Sequence, residues 1–92
     1  MGMIVFTEIG TYSVELFAHM NGVKKVFNRY IIEDTDLDHF KISLLKRLGN
    51  VHHFEKEKAR AKEIIYTAKS VEEMVELVNI ETSFGLTVRR LR

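Results

Sequence analysis

The sequence predicts an α+β fold in which helices pack on one face of a mainly antiparallel sheet, as a two-layer sandwich. Two observations support this fold class. The first third of the chain is rich in β-branched and aromatic residues and contains turn-forming pairs. The remainder contains two segments with apolar residues at helical spacing, each preceded by a side chain that can cap a helix. The predicted order is a three-stranded meander, a helix, and then a β-α-β unit.

Three strands are predicted in the first third, over residues 3–9, 12–20 and 23–32. Asn21-Gly22 separates the second strand from the third, and both residue types tolerate the positive φ angles of a type I′ hairpin turn. Gly10-Thr11 separates the first two strands and suits a type II′ turn. Two such tight turns predict a meander of neighbouring antiparallel strands.

A helix is predicted over residues 36–48. Asp34, Thr35 and Asp36 offer oxygens that can cap its N-terminus, and Gly49 suits a left-handed cap after its last turn. The apolar residues of this segment share one helical stripe; they are Leu37, Phe40, Leu44, Leu45 and Leu48.

The last part of the chain is expected to form a short strand at 63–68, a helix at 71–78 and a strand at 84–91. Ser70 and Glu73 form a capping box for that helix. Residues 50–62 are ambiguous, because Glu, Lys, Ala and Arg favour a helix while the apolar stripe is thin.

The composition fits one ordinary domain spanning residues 1–92. A chain of 92 residues and 10.7 kDa is expected to bury about 64% of its surface on folding. Lys and Arg number 14 against 13 Asp and Glu, a net charge of +1. This balance argues against a strongly basic nucleic-acid protein and against an acidic DNA mimic. Cysteine is absent, which excludes disulfides, thiolate metal sites and a cysteine nucleophile.

The chain carries no recognisable membrane or export signal. Its apolar runs stay well short of the roughly 18 residues of a membrane span. Its start, Met1-Gly2-Met3-Ile4, lacks the basic region of a signal peptide. We therefore expect a cytoplasmic protein that does not act at a membrane.

The two predicted turns fix which side chains share a face of the sheet. With a two-residue turn at Asn21-Gly22, Phe17 faces Val26, and directly opposed side chains share a face. The more apolar face is assigned to the helices, and it carries Val5, Thr7, Ile9, Tyr12, Val14, Leu16, Ala18, Met20, Val23, Phe27 and Ile31, together with Lys25 and Arg29. The other face mixes apolar and charged residues: Ile4, Phe6, Glu8, Glu15, Phe17, His19, Lys24, Val26, Asn28, Tyr30 and Ile32.

In an antiparallel sheet with one face in solvent, apolar and polar residues should alternate more regularly along each strand than they do here. Three interpretations of the mixed face are open. Residues 50–62 or another loop could fold over the mixed face as a second small core. The face could bind another protein or a second copy of the chain, since exposed apolar patches mark interaction sites. It could also be a stacking platform for single-stranded nucleic acid, with Phe17 and Tyr30 against bases and His19 and Lys24 near phosphates.

Motifs for catalysis, metal binding or cofactor binding are not found. His52-His53 lacks an HExxH or paired-cysteine context. The serines lack a G-x-S-x-G setting, and the glycines form neither a G-x-G-x-x-G nor a Walker loop. We predict no catalytic residue, no metal site and no cofactor. The C-terminal basic cluster of Arg89, Arg90 and Arg92 is a possible phosphate contact, or it solubilises an edge strand.

These observations predict a small non-enzymatic protein-interaction module. Such a module would act as a regulator or inhibitor of a larger macromolecular partner, a role frequent among small phage-encoded or mobile-element proteins, or as a homodimer. The expected partner-binding residues are Ile4, Phe6, Phe17, His19, Lys24, Val26, Asn28 and Tyr30. The alternative is a nucleic-acid-binding protein that uses the same face or the C-terminal arginines, with affinity that falls steeply with salt.

Overall fold

The computed structural model describes residues 9–92 and confirms the α+β class. The elements in chain order are β1 (Gly10–Met20), β2 (Val23–Thr35), α1 (Leu37–Gly49), α2 (Glu55–Thr67), α3 (Val71–Glu81) and β3 (Phe84–Arg90). The three strands form one sheet in the order β2-β1-β3, and β1 is antiparallel to both neighbours.

The turn between β1 and β2 is the hairpin that the sequence predicts. Asn21 has a φ of 55° and Gly22 a φ of 79°, the two positive values of a type I′ turn. Met20 pairs with Val23 across this turn, and Phe17 pairs with Val26. The predicted strands 12–20 and 23–32 are therefore confirmed, and both extend further.

The predicted meander is wrong on the other side of β1, where the neighbour is the C-terminal strand β3. Residues 3–8 of the predicted first strand lie outside the described residues, and Ile9 belongs to no strand. Gly10-Thr11 is not a turn, because β1 already begins at Gly10. The Thr11 N–H donates to the Arg92 carbonyl over 3.2 Å, and the Thr11 carbonyl accepts from Leu91 N–H over 2.7 Å.

A β-bulge at Phe27 changes the register of the hairpin. Phe17 pairs with Val26 but Leu16 pairs with Asn28, so Phe27 is an extra residue in β2. Because side chains alternate between faces, one extra residue exchanges the faces of everything after it. Beyond the bulge, Glu15 lies opposite Arg29, where the sequence predicted Asn28.

Helix α1 confirms the predicted helix, and Asp36 is the one of the three candidate residues that caps it. The Asp36 carboxylate accepts from His39 N–H over 2.8 Å, which satisfies one of the free donors of the first turn. The predicted left-handed cap at Gly49 is wrong. Gly49 stays helical, and the helix ends at Asn50 with a φ of −87°.

The predicted strand at 63–68 is wrong, because residues 63–67 lie in α2. Two β-branched residues, Ile64 and Ile65, favour a strand locally, but they share a buried face with Ala61 and Lys58. Lys58 contributes its aliphatic stem to the apolar stripe, and its ammonium donates to the buried Val51 carbonyl over 2.6 Å. The stripe is thin in sequence because one of its members is a lysine.

Helix α3 begins as predicted at Val71, after its cap Ser70, and continues three residues past the predicted end. The Ser70 hydroxyl accepts from Glu73 N–H over 3.0 Å. The Glu73 carboxylate reaches back to Lys69 N–H over 3.3 Å, one residue earlier than in the usual capping box. None of the helices in residues 9–92 is long and apolar enough to cross a membrane.

The helices pack on one face of the sheet and enclose a single buried cluster with it. The helices and the sheet thus form two layers. The least exposed members are Val14, Leu16 and Ala18 of β1, Phe40, Leu44 and Leu48 of α1, Ile65 of α2, Met74 and Val78 of α3, and Phe84 and Leu86 of β3. All three helices therefore lie on the side of the sheet to which these β1 side chains point. The opposite side of the sheet receives no helix among the described residues.

Candidate functional site

The face of the sheet that points away from the helices is the candidate site, and we call it the open face. The strand register and alternation place eleven residues on it: Ser13, Glu15, Phe17 and His19 of β1, Lys24, Val26, Arg29 and Ile31 of β2, and Gly85, Thr87 and Arg89 of β3.

Glu15 lies at the centre of the open face and joins two cations of β2. Its two carboxylate oxygens bind Lys24 over 2.6 Å and Arg29 over 2.8 Å. Arg29 adds a second hydrogen bond from Nε over 3.1 Å. Hydrogen bonds from Lys24 and then from Arg29 hold the pKa of Glu15 below its ordinary value, because both favour the ionised carboxylate. The resulting triad fixes two long side chains across the β1–β2 pair.

Phe17 supplies the aromatic part of the open face, beside the triad. Its ring lies against Gly85, its direct partner on β3. The Lys24 ammonium stands 4.4 Å from the ring centroid, within the range of a cation–π contact. His19 meets the ring edge-to-face at 5.7 Å. The ring is therefore held in a fixed orientation by three neighbours.

Two aliphatic side chains extend this apolar surface along β2. Val26 is 36% exposed and Ile31 is 60% exposed. Val26 lies beside Phe17, its cross-strand partner, whereas the Glu15–Arg29 pair lies between these two residues and Ile31. An exposed apolar surface with a charged rim is typical of interaction sites.

The structure brings together four of the residues predicted to bind a partner, namely Phe17, His19, Lys24 and Val26. Ile4 and Phe6 lie outside the described residues. Asn28 and Tyr30 are wrongly placed in the prediction, because the bulge at Phe27 turns them to the helix side.

Tyr30 is consequently part of the core margin. It packs against the buried cluster, and the Arg47 guanidinium of α1 lies 3.7 Å from its ring centroid. Burial raises the pKa of its hydroxyl. The ring is covered by Arg47, so it does not serve as a stacking surface on the open face.

The same bulge brings Arg29 and Ile31 to the open face, although the sequence prediction assigns both to the helix side. Gly85 was also missed as a site residue. No glycine or Asn-Gly pair marks the bulge, so the sequence around Phe27 carries no clear signal for it. Gly85 within a predicted strand was a usable signal, since glycine there often marks a close approach.

The arginines of the predicted C-terminal basic cluster do not share one surface. Arg89 lies on the open face opposite Ser13. The guanidinium of Arg90 donates to the Arg92 carbonyl over 3.0 Å and to the Ile9 carbonyl over 3.1 Å. Arg90 therefore ties the two ends of the described chain together, while Arg89 is the arginine of this cluster that joins the open face.

Residues 50–62 do not cover the open face. Val51, Lys58 and Ala61 are buried on the helix side. His53 stacks on Phe27 at 5.9 Å, also on that side. The interpretation of the mixed face as a second core under this segment is therefore wrong.

A groove of about 810 Å³ lies on the helix side, where α1 and α3 begin. Its walls include Tyr12, Phe40 and Val75. Two of its polar side chains, Asp36 and Ser70, cap helices. Within residues 9–92, no group of three or more histidine and acidic side chains is placed to hold a metal ion.

Comparison with known proteins finds no matching family model, no matching curated protein and no matching solved structure.

Proposed function

We propose that this protein is a non-enzymatic binding module that docks on a larger protein partner through the open face and regulates or inhibits it. The observation that carries this proposal is the apolar pair of Phe17 and Val26, together with the exposed Ile31 further along β2 beyond Arg29. These side chains lie on the face that receives no helix among residues 9–92. Burying them against a partner is favourable in proportion to the apolar area removed from water.

The cations of the open face set the chemistry of the partner. Lys24 and Arg29 are paired with Glu15 on this face, and Arg89 lies on the same face opposite Ser13. A partner surface that offers apolar side chains flanked by carboxylates would match this pattern. Because Glu15 already binds Lys24 and Arg29, the attraction is short-range and depends more on shape than on long-range charge.

Nucleic-acid binding is the second candidate, and one observation favours it. The bulge adds Arg29 to the open face, so three cations and an aromatic ring share one surface. Two observations count against it. Tyr30, the second expected stacking ring, is turned to the helix side, and two of the cations are already paired with Glu15. A protein partner is therefore the preferred hypothesis.

The test compares Val26→Asp with the control Ile42→Asp. Ile42 is an equally simple aliphatic residue, 62% exposed on α1, on the opposite layer. Immobilised wild type and both variants, each checked for folding by circular dichroism, are used to capture proteins from nuclease-treated extract. We expect at least one protein to be retained by wild type and Ile42→Asp, and depleted about tenfold by Val26→Asp.

Equal retention by all three proteins contradicts the proposal. Retention from untreated extract that is absent from nuclease-treated extract supports the second candidate instead. Fluorescence polarisation with labelled single- and double-stranded oligonucleotides separates the two directly, since phosphate binding must weaken steeply as salt rises.

A further inference from the structure

The outer edge of β2 carries a second inference, which depends on where the backbone groups of each strand point. In a two-residue hairpin the closing pair, Met20 and Val23, exchanges hydrogen bonds. Even-numbered residues of β1 therefore bond to β2, and odd-numbered residues bond to β3. Thr11 confirms this alternation, because its N–H and carbonyl bond to Arg92 and Leu91 at the end of β3.

It follows that Arg29 and Ile31 point their N–H and carbonyl groups away from β1. They lie opposite Glu15 and Ser13, which are odd-numbered and bond to β3. Glu33 follows by the same alternation. Over the described residues no strand lies beyond β2, so these groups form an edge that can accept another strand.

The edge of β3 differs, because a side chain already occupies it. Leu86 lies opposite Leu16, an even-numbered residue of β1, so its backbone groups point outward. The Asn79 amide of α3 accepts from Leu86 N–H over 2.6 Å and donates to the Leu86 carbonyl over 3.2 Å. Asn79 thus takes the place of a further strand at this point, whereas the side-chain hydrogen bond described for the β2 backbone, from Asp34 N–H to Thr11 Oγ1 over 3.2 Å, comes from β1 and not from beyond the outer edge.

The regular part of the β2 edge is short and has a defined centre. It begins after the bulge at Phe27 and ends at Asp34, whose φ is 48°. Ile31 is the midpoint between Asn28 and Asp34, and it is 60% exposed.

We propose that two copies of this chain pair antiparallel through β2, about a two-fold axis at Ile31. This register places Arg29 opposite Glu33 of the second copy, and Glu33 opposite the second Arg29. Two opposite-charge pairs then flank a central Ile31–Ile31 contact on one face. On the helix side, Tyr30 lies opposite Ile32 of the second copy, an aromatic–aliphatic pair of the kind that stabilises sheets. The product joins the three described strands of each copy into one six-stranded sheet whose open faces are continuous.

This inference does not rest on the proposed function, because it concerns the edge of the sheet. A monomer could still bind a partner through the open face, and a dimer could form without any such partner. The variants that test it therefore differ from Val26→Asp.

The test uses Arg29→Glu and Glu33→Arg, alone and mixed, with Lys62→Glu on exposed α2 as the charge-reversal control. Sedimentation velocity at low salt over a range of protein concentrations gives the dimer dissociation constant. Each single variant places like charges opposite each other in both pairs, so we expect dimerisation about tenfold weaker or more. An equimolar mixture restores both opposite-charge pairs, so native mass spectrometry should show the heterodimer in excess over either homodimer.

The heterodimer keeps the inference testable if a single variant simply folds poorly, because a misfolded chain would not regain assembly on mixing. The inference is overturned if wild type remains monomeric at every concentration. It is also overturned if both single variants dimerise as wild type does. Loss of dimer in Val26→Asp without loss in the charge variants assigns self-association to the open face and overturns pairing through the edge.

Discussion

The ring of Phe17 lies so close to Gly85 on the adjacent strand that this position has no room for a side chain. A Cβ atom on Gly85 would stand 2.4 Å from Cζ of Phe17 and 2.5 Å from Cε2. The two residues are direct cross-strand partners. The ring thus buries the backbone of Gly85, an arrangement that offsets the weakness of glycine within a strand.

Gly85→Ala should displace the Phe17 ring from its place on the open face. Overpacking in wild type is expected to cost about 1 kcal/mol of unfolding free energy. In a Phe17→Ala background the methyl group meets no ring, and alanine removes the entropy cost of glycine, so the same change should be neutral or stabilising. Urea unfolding of the four proteins measures the coupling. An equal effect of Gly85→Ala in both backgrounds would contradict the contact.

Glu15→Gln tests the triad through its pH dependence. Lys24 and Arg29 lower the pKa of Glu15 in the folded protein from an ordinary value of 4.5. A lowered pKa adds stability that is fully present above the unfolded pKa and is lost as the pH falls through the folded pKa. Wild type should therefore exceed Glu15→Gln in stability by a constant margin above about pH 5, and the margin should shrink as the solution becomes more acidic.

Chemical denaturation at a series of pH values provides this measurement. Glu55→Gln, on the exposed first turn of α2, is the control carboxylate outside the open face. Added salt should also reduce the margin, because exposed ion pairs are screened. A margin that stays constant down to pH 2 would show that ionised Glu15 contributes nothing to stability through Lys24 and Arg29.

Local chemistry explains which features the sequence could predict. Asn21-Gly22 fixes its own turn, and Asp36 and Ser70 cap the helices that follow them. Each of these signals acts within four residues. The register from Val23 to Val26 follows from the turn alone, which is why Phe17, Lys24 and Val26 were correctly placed on one face.

The features that sequence analysis missed depend on distant contacts. The partner of β1 on its second side comes from the other end of the chain, and no local pattern distinguishes β3 from an earlier strand. The Ile64-Ile65 pair favours a strand locally, but the buried stem of Lys58 completes a helical stripe. The bulge at Phe27 moves Asn28 and Tyr30 to the helix side of the sheet. It is accompanied by a contact between the rings of Phe27 and Phe84 at the core.

Single cysteines test the bulge, because the natural chain contains none. With the bulge, Ile31 is on the open face and Ile32 packs against the core. We expect Ile31→Cys to react with a thiol reagent about tenfold faster than Ile32→Cys in dilute solution, since the half-buried position is shielded by the core until it opens locally. Without the bulge the order of rates would be reversed. Denatured protein supplies the reference rate for each variant.

Asn79→Ala tests whether this side chain protects the edge of β3. The Asn79 amide makes two hydrogen bonds to the backbone of Leu86, and their loss leaves a partly buried N–H and carbonyl without that partner. We expect a cost of about 1–2 kcal/mol in unfolding free energy. We also expect faster hydrogen exchange at the Leu86 amide, whose hydrogen Asn79 accepts in wild type. Glu76→Ala, on an exposed position of the same helix, controls for general effects on α3. Unchanged exchange at Leu86 in Asn79→Ala would mean that another group protects this edge. Asn79 would then not distinguish the edge of β3 from the edge of β2.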